Sequence, residues 1–365
     1  MEADSDIGFM KRALALARRG MGKVSPNPMV GAVIVKDGRI IGEGWHREFG
    51  GKHAEINAIE SAVGDPRGAV FYVTLEPCSH QGKTPPCVDR LIEIAPSRVV
   101  VGTADPNPLV SGRGIAALRK HGIRTDVGVL EEECRRLNEV FFTFMERGTP
   151  FVTLKYAQTL DGRIASSRGD SRWISSYKSR RFAHRLRSRH DAVLVGIGTV
   201  IADDPELTVR HVRGRNPVRI VADSRLRIPR EARLLKDAEK ARTFIFTSTR
   251  ADKTKMERLR EEGVKVILVD EEEPGRLDMM EIFAVLGQMG LSSVLVEGGS
   301  GIITSCLARG CVDRLVVIIA PRILGAGIDA VGDLGIAAVD RSLNLLVDKL
   351  SVSGGDIIID ARPRK

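Results

Sequence analysis

The chain has 365 residues, of which 43% are hydrophobic and 28% are charged. This is the composition of an ordinary globular protein and excludes a disordered or collagen-like chain, and the length favours two domains. No apolar run reaches the about 18 residues of a membrane span, Asp4 and Asp6 argue against a secretory signal, and five cysteines fit no disulfide framework, so we expect a cytoplasmic protein without a membrane partner.

The net charge of +9 is unevenly spread along the chain. Residues 1–150 contain 20 Lys and Arg against 19 Asp and Glu, which leaves +8 for residues 151–365. The basic excess is densest at five arginines, which are Arg180, Arg181, Arg185, Arg187 and Arg189. Three interpretations of this cluster stay open: a site for a phosphorylated ligand, a site for a polynucleotide, or a solvated helix face.

Hydrophobic periodicity in the first half predicts a helix, a hairpin, and then strands that alternate with helices. In chain order the predicted elements are helix 5–19, strands 30–35 and 39–42, helix 53–62, strand 69–75, helix 86–94, strand 97–102, helix 112–121 and helix 131–145. Asp37-Gly38 predicts a type I′ turn in the hairpin. This order predicts a three-layer α/β domain with a mixed sheet, whose reactive groups lie on loops at the carboxyl ends of strands.

Gly148-Thr149-Pro150 breaks this pattern, so we place a boundary there, with domains at residues 1–147 and 148–365. The second half contains further β-rich runs, with helical stretches between several of them. The predicted strands are 151–157, 192–195, 218–221, 243–247, 264–269, 293–296, 314–320 and 357–360, the last of them an edge strand. We therefore predict a second α/β domain after the boundary.

Four residues of the first half form a candidate metal and proton-transfer site. His53, Cys78 and Cys87 can hold one zinc ion in three tetrahedral positions and leave the fourth to water, which is the arrangement of a catalytic site. Zinc lowers the pKa of that water to near neutrality, and Glu55, beside the metal, can take the proton and return it to a ring nitrogen and to leaving ammonia. We therefore predict a hydrolytic deaminase with Glu55 as its catalytic residue. The alternative is a structural site, in which His80 or Glu55 completes a four-ligand shell.

This set resembles the cytidine deaminase superfamily, although that family's signature has two residues between the cysteines and this chain has eight. The longer spacing, Pro-Cys-Ser-His-Gln-Gly-Lys-Thr-Pro-Pro-Cys at 77–87, resembles the deaminase domain of the bifunctional riboflavin biosynthesis family. Pro-Asn-Pro-Met-Val-Gly-Ala-Val at 26–33 and Thr-Leu-Glu-Pro-Cys at 74–78 resemble it too. The resemblance implies a diaminopyrimidinone ribosylamine phosphate as substrate, whose 2-amino group is exchanged for oxygen, and places Asn27, His46 and Lys83 in its pocket.

Two glycine-rich turns follow strands in the second half, at 196–199 and 298–301. Such turns can cradle phosphate with backbone N–H groups and a helix N-terminus. Neither turn has the third glycine of the dinucleotide fingerprint, so the spacing alone favours the alternative, a tight turn that needs glycine for backbone reasons.

Three further segments resemble the reductase domain of the same family: Lys-Tyr-Ala-Gln-Thr-Leu-Asp-Gly-Arg at 155–163, Ser-Arg-Trp-Ile at 171–174 and Ala-Asp-Asp-Pro-Glu-Leu-Thr-Val-Arg at 202–210. Thr159 stands where the family pattern has serine, and it keeps the hydroxyl group. The resemblance implies a dihydrofolate-reductase-like fold and reduction of the ribosyl unit to a ribityl chain with NADPH.

By the same resemblance, the cofactor-binding residues are Ala157, Trp173, Thr199, Asp203, Ser224, Gly299, Ser300 and Gly301. The sugar-phosphate substrate residues are Ser171, Arg187, Leu207, Arg210 and Glu297. Arg187 and Arg210 suit this role because a guanidinium fork matches a phosphate bidentately.

The leading interpretation is a bifunctional, homo-oligomeric enzyme that acts on a small phosphorylated pyrimidine and has no nucleic-acid partner. A second interpretation is a deaminase of tRNA or single-stranded nucleic acid with a basic accessory domain, but the basic excess would then surround the zinc residues. A third is a non-catalytic binding module with a structural zinc ion.

Overall fold

The computed structural model describes residues 2–79, 85–108, 110–236 and 241–364. The chain separates into two compact units, Met1–Gly148 and Thr149–Lys365. Within the described ranges, no helix combines the length and the apolar character that crossing a bilayer requires.

The first unit contains six helices and five strands among its described residues. The helices are α1 Glu2–Ala17, α2 Ala54–Glu60, α3 Cys87–Ile94, α4 Arg113–Lys120, α5 Glu131–Leu137 and α6 Glu139–Arg147. The strands are β1 Gly31–Lys36, β2 Arg39–Trp45, β3 Val70–Val73, β4 Arg98–Val101 and β5 Arg124–Val127. They form one sheet in the order β2-β1-β3-β4-β5, in which β1 is antiparallel to both of its neighbours and the pairs β3–β4 and β4–β5 are parallel.

Helices cover both faces of this sheet. Ala32 and Ile34 point to a core that contains residues of α2, α3 and α4, whereas Val33 and Val35 point to a core that contains residues of α1 and α5. The alternation is the two-residue period of a strand. The predicted three-layer arrangement and mixed sheet are confirmed.

Two local predictions in this unit had different outcomes. Asp37 and Gly38 both have positive φ, at 51° and 73°, as a type I′ turn requires. The single helix predicted at 131–145 is wrong, because the chain breaks at Asn138 into α5 and α6. The Asn138 side chain accepts the N–H of Met29 at 2.8 Å and donates to its carbonyl oxygen at 2.9 Å, a long-range pairing that periodicity does not reveal.

The second unit is built on a larger sheet. Its strands are β6 Phe151–Thr159, β7 Arg163–Ser166, β8 Ala192–Gly196, β9 Val218–Ala222, β10 Thr243–Thr247, β11 Lys265–Leu268, β12 Glu271–Glu273, β13 Arg276–Leu277, β14 Ser293–Val296, β15 Arg314–Ala320, β16 Gly327–Asp329, β17 Leu345–Ser353 and β18 Asp356–Pro363. Its helices are α7 Tyr177–Arg187, α8 Ile197–Asp203, α9 Arg233–Lys236, α10 Lys253–Glu261, α11 Met279–Gln288 and α12 Ser300–Ala308.

Nine of these strands pair in the order β11-β10-β9-β8-β14-β6-β15-β18-β17. The seven strands from β11 to β15 are parallel, and β18 and β17 are antiparallel to their neighbours. Leu194 faces the core with α11 and α12, and Val193 and Val195 face the core with α8 and α10. The loops that follow β8 and β14 therefore leave the same edge of the sheet side by side, where ligands bind in open α/β sheets.

The prediction of an edge strand at 357–360 is wrong. That segment belongs to β18, which lies between β15 and β17, and β17 is the edge. Strand β17 was not predicted, because a register shift between Val347 and Lys349 breaks the two-residue alternation of its apolar side chains.

Two candidate active sites

The three predicted zinc ligands converge in the first unit. His53 precedes α2, Cys87 begins α3, and Cys78 lies in the loop after β3. The Nδ1 atom of His53 is 3.4 Å from Cys78 Sγ and 3.3 Å from Cys87 Sγ, and one donor atom of each residue lies within 4.8 Å of the others. One imidazole nitrogen and two sulfurs directed at a common point are a donor set that fits zinc.

The surroundings favour the ligand form of Cys78. Hydrogen bonds from the Cys87 thiol and from His53 lower the pKa of Cys78, and the backbone N–H of Cys87 donates to its sulfur at 3.3 Å. Cys78 is therefore a thiolate near neutral pH, and the thiolate is the form that binds metals.

Glu55 lies in the first turn of α2, as its second residue. Its side chain is buried, and burial, reinforced by the neighbouring Cys78 thiolate, raises the pKa of Glu55 to about 7. A carboxyl group that titrates near neutral pH can both accept and release a proton, which is the property of a general acid and base.

A cavity of about 270 Å³ adjoins these residues. Its wall includes Asn27 and His46, whose Nδ2 and Nε2 atoms are 3.3 Å apart. His46 Nδ1 is 3.1 Å from the carbonyl oxygen of Lys52, and burial lowers the pKa of His46, so the ring is neutral, with Nδ1 donating to Lys52 and Nε2 accepting from Asn27. Lys83, the third predicted pocket residue, lies outside the described residues, as does His80.

Three polar residues of this cavity wall were not predicted from the sequence. Asp105 and Asn107 follow the carboxyl end of β4, and the Asp-Pro-Asn-Pro run at 105–108 was the signal that could have identified them. The third, Glu76, is buried, and its carboxylate accepts four backbone N–H groups, those of Asp105, Gly112, Gly114 and Ile115, at 2.9–3.2 Å. It joins the loop beside Cys78 to the start of α4.

In the second unit, the two glycine-rich loops at 196–199 and 298–301 meet in a cavity of about 720 Å³. The N–H of Gly299 donates to Thr199 Oγ1 at 3.1 Å and ties the loops together. A Cβ atom at Gly196 or at Gly298 would lie 2.7 Å from the Ile302 side chain, whereas one at Gly301 would meet no atom within 4 Å. Packing therefore requires glycine at positions 196 and 298, whereas the backbone at Gly301 is open to a ligand at the start of α12.

The same cavity brings together most of the predicted cofactor residues and one substrate residue. Those on its wall are Ser171, Thr199, Asp203, Ser224, Gly299, Ser300 and Gly301. Ser171 Oγ lies 3.5 Å from Asp203 Oδ1. Two predicted cofactor residues lie elsewhere: Ala157 packs against a core that contains Leu186, and Trp173 stacks with the Arg180 guanidinium at 4.2 Å.

Three charged residues form a cluster beside the end of β14, and their side chains are only 8–14% exposed. Arg187 donates to both carboxylate oxygens of Glu297, from Nε and from Nη2, at 2.8 Å each, and Lys155 Nζ is 3.9 Å from Glu297 Oε2. Burial alone would raise the pKa of Glu297, but Arg187 and Lys155 outweigh it and lower that pKa to about 2. Lys155 was not predicted as a site residue, because it lies within a strand and its partner is distant in sequence.

This cluster changes the expected role of Arg187. Its remaining Nη1 donates to the carbonyl oxygen of Thr208 at 3.2 Å. All three nitrogens of the Arg187 guanidinium group therefore donate to other protein atoms. Arg210 is more accessible: its side chain is 43% exposed and pairs with Glu206 at 2.8 Å. Leu207 is buried with a φ of 50° and shapes the turn before Arg210.

Comparison with known proteins places these features in a wider context. Residues 3–103 match the family model of the cytidine and deoxycytidylate deaminase zinc-binding region, and residues 150–359 match that of the RibD C-terminal domain. The riboflavin biosynthesis protein RibD of Aquifex aeolicus is 46% identical over 360 residues, which are 98% of this chain and 99% of that protein. The Escherichia coli protein of the same name is 41% identical over 334 residues, which are 88% of this chain and 89% of that protein.

A solved structure agrees over the whole length. The diaminohydroxyphosphoribosylaminopyrimidine deaminase/5-amino-6-(5-phosphoribosylamino)uracil reductase of Thermotoga maritima is 43% identical, with a TM-score of 0.89 and full coverage of both chains. A RibD structure from Acinetobacter baumannii is 34% identical, with a TM-score of 0.90 and the same coverage.

Proposed function

The chain belongs to the RibD family of riboflavin biosynthesis proteins, and on that basis we propose that its deaminase domain occupies residues 1–147 and its reductase domain residues 148–365. The membership confirms the predicted fold class, a cytidine-deaminase-like domain followed by a dihydrofolate-reductase-like domain. The protein is a bifunctional enzyme, a zinc-dependent hydrolytic deaminase and an NADPH-dependent reductase. Its substrate is 2,5-diamino-6-ribosylamino-4(3H)-pyrimidinone 5′-phosphate.

The convergence of His53, Cys78 and Cys87 beside the buried Glu55 is the observation that carries the deaminase assignment. Zinc, when bound by those three residues, would supply the Lewis acid that activates water. Glu55 takes one proton from the attacking water and delivers it to the ring nitrogen. It then moves a second proton from the newly added hydroxyl group to the amino group, which leaves as ammonia. Asn27 and the neutral His46 hold the heterocycle and its ribose through hydrogen bonds, and Lys83 binds the phosphate.

In the reductase domain, the loops at 196–199 and 298–301 bind the cofactor with their backbone N–H groups. NADPH, when bound, supplies the hydride. Arg187 and Lys155 keep Glu297 ionised, and a carboxylate can accept hydrogen bonds from the sugar hydroxyls of the substrate. Arg210 and Ser171 bind the substrate phosphate, and Leu207 shapes their loop. Asp203, Ser224, Trp173 and Ala157 complete the cofactor site that the family resemblance implies.

Mass spectrometry of the reaction product tests both activities. Zinc-loaded protein is incubated with the diaminopyrimidinone ribosylamine phosphate, first without and then with NADPH. We expect a gain of about one mass unit without the cofactor, as NH is replaced by O, and a further gain of about two with it. No change without the cofactor would contradict the deaminase assignment. In that event, RNA binding that weakens steeply as salt rises would support the nucleic-acid alternative.

We further propose that the enzyme is a homo-oligomer in which β17 contributes to the interface. The register with β18 places Leu345, Val347, Leu350 and Val352 on one face of β17, and all four are exposed. A long exposed apolar edge strand is a surface that proteins normally cover. Sedimentation analysis of the wild type and of Leu350→Lys tests this: we expect a smaller species for the variant, and a wild-type monomer would contradict the proposal. The cytoplasmic location and the absence of nucleic-acid and membrane partners stay predictions.

A further inference from the structure

The irregular stretch 208–210, between α8 and β9, carries the arginine proposed for the substrate phosphate. Two of its backbone groups are bonded by side chains of α7. The carbonyl oxygen of Thr208 accepts from Arg187 Nη1 at 3.2 Å, and the N–H of Arg210 donates to His184 Nδ1 at 3.2 Å. Residues 184 and 187 are three apart, so they share one face of the helix. Helix α7 therefore holds the backbone on which the Arg210 side chain stands.

His184 is built to accept this hydrogen bond. The residue is 6% exposed, and burial, followed by the charge of Arg187, lowers the pKa of His184 to about 4. The ring is therefore neutral near pH 7, and since a backbone N–H can only donate, Nδ1 carries no proton. The ring of His211 packs edge-on against the His184 ring, with centroids 4.6 Å apart, and also contacts Tyr177, at 5.5 Å. These contacts keep the accepting nitrogen directed at the 208–210 stretch.

The same face of α7 contacts the sugar side of the site. Arg187 donates to both carboxylate oxygens of Glu297 at 2.8 Å, so α7 connects the carboxylate proposed for the sugar hydroxyls with the guanidinium group proposed for the phosphate. The Arg210 side chain is 43% exposed and pairs with Glu206 in the same stretch. Because burial does not fix this side chain, the position of its backbone decides where the guanidinium group can reach.

We propose that His184 is a positioning residue of the reductase site, which holds Arg210 where its guanidinium group meets the substrate phosphate while Glu297 binds the sugar. The assignment deepens the proposed function and rests on the phosphate role of Arg210. Guanidinium groups bind phosphate with two parallel N–H donors, so the direction of the group matters as well as its charge. Without an acceptor at His184, the Arg210 N–H has to turn towards water, and the stretch that carries it moves.

Steady-state kinetics of the full-length protein test this with two variants of one residue. His184→Phe keeps a ring beside His211 but has no acceptor, whereas His184→Asn loses the ring and keeps an acceptor, because Oδ1 can take the place of Nδ1. The substrates are the pyrimidine phosphate that deamination yields and the same compound after phosphatase treatment.

We expect His184→Phe to raise the KM for the phosphate about tenfold, the equivalent of one hydrogen bond. His184→Asn should keep that KM within about threefold of the wild type, since the hydrogen bond is retained. Neither variant should change the KM for the dephosphorylated compound. An unchanged kcat at saturating substrate shows that the second unit of each variant has folded.

Four results would overturn the proposal. A wild-type KM in His184→Phe would show that the hydrogen bond does not position Arg210, and equal rises in the Phe and Asn variants would assign the effect to packing of the ring. An equal rise for the dephosphorylated compound would place His184 on the sugar side, and a fall in kcat without a rise in KM would make it part of the chemical step.

Arg210→Ala separates the proposal from its premise. This variant should raise the KM for the phosphate at least as much as His184→Phe does, because it removes the guanidinium group itself. A wild-type KM in Arg210→Ala would refute the phosphate role of Arg210 and the proposal with it. If the wild type reduces neither compound, the reductase assignment fails.

Discussion

The two units each contain a buried carboxylate in a candidate active site, and the two carboxylates are in opposite states. Burial, reinforced by the Cys78 thiolate and only partly offset by His53, raises the pKa of Glu55 to about 7. Burial acts in the same direction on Glu297, but Arg187 and Lys155 outweigh it and lower the pKa to about 2. Burial alone therefore does not determine the protonation state of a carboxyl group; the charges placed around it do.

This difference separates two kinds of chemistry. Glu55 can exchange a proton near neutral pH, as the deamination requires, whereas Glu297 stays charged and can only accept hydrogen bonds. The partners also differ in their distance along the chain. Glu55 is two residues from His53, while Glu297 is 110 residues from Arg187.

The largest effect is expected from removing the proton carrier of the first unit. Glu55→Gln keeps the shape of the side chain but cannot accept the proton, so deamination should fall about 10²- to 10⁴-fold while zinc content and reductase activity stay at wild-type levels. Initial rates and metal analysis measure this. Glu60→Gln, on the exposed surface of α2 where Glu60 pairs with Lys52, is the control. Near-wild-type turnover of Glu55→Gln would show that Glu55 is not the proton carrier.

The second effect concerns the charges around Glu297. Arg187→Met leaves that carboxylate buried with Lys155 as its remaining cationic partner, and breaking a buried pair in this way costs about 3–5 kcal/mol. We expect this loss in the unfolding of the second unit. Urea titration in a Trp45→Phe background measures it, because Trp173 is then the single tryptophan of the chain.

The control for this prediction is Arg230→Met. Arg230 pairs with Glu262 at 3.2 Å on the surface, and exposed pairs contribute about 0–1 kcal/mol. Equal losses of unfolding free energy in the two variants would mean that the cluster around Glu297 stabilises the fold no more than an exposed ion pair does.

The sequence predicts the deaminase site more completely than the reductase site, for a physical reason. His53 and Glu55 are set by one helix start, and Cys78 and Cys87 lie on one strand-loop-helix segment, so local patterns bring them together. Arg187 was expected to bind phosphate because of the family resemblance, and only the tertiary structure shows that Glu297 occupies its guanidinium group. The reductase residues that were predicted came from family resemblance rather than from spacing.

The fold shows the same limit. Elements with strong internal periodicity, such as α1 and β1, were predicted within a few residues of their bounds. The break at Asn138 was not predicted, because it depends on a partner far along the chain, Met29. The edge position of β17 was not predicted, because it follows from the pairing of β18 with the distant strand β15.

A third effect concerns a neutral group that the second unit keeps buried beside its charged cluster. His190 Nδ1 donates to the carbonyl oxygen of Leu186 at 2.8 Å, and Nε2 accepts from the Thr153 hydroxyl at 2.9 Å. Burial lowers the pKa of His190 to about 4, against about 6.5 in an unfolded chain. Between these values the unfolded state binds more protons, so stability falls as pH falls below about 6.5.

At pH 5 the expected loss relative to pH 7 is about 2 kcal/mol for the second unit. Urea titrations at the two pH values in the Trp45→Phe background measure it, and His190→Gln should show a smaller loss. His184, whose pKa burial also lowers, acts in the same direction in both proteins, so the difference between them reports on His190. An equal pH dependence in both would exclude His190 as its source.

The smallest effect is expected at Glu76, a buried carboxylate whose partners are backbone N–H groups rather than charged side chains. Its two oxygens accept N–H groups from Asp105, Gly112, Gly114 and Ile115, and through them it holds the cavity wall beside Cys78. Glu76→Gln replaces one oxygen with an amide group that faces two N–H donors. The cavity wall that Glu76 holds should therefore shift, and the KM of deamination should rise about tenfold, the equivalent of one weakened hydrogen bond. Zinc content and kcat should change little, because the ligands and Glu55 stay in place. The control is Glu93→Gln, which is exposed on α3 and paired with Arg90 and should leave KM unchanged. If Glu76→Gln instead lowers kcat or zinc content without raising KM, Glu76 supports the metal ligands rather than the substrate wall.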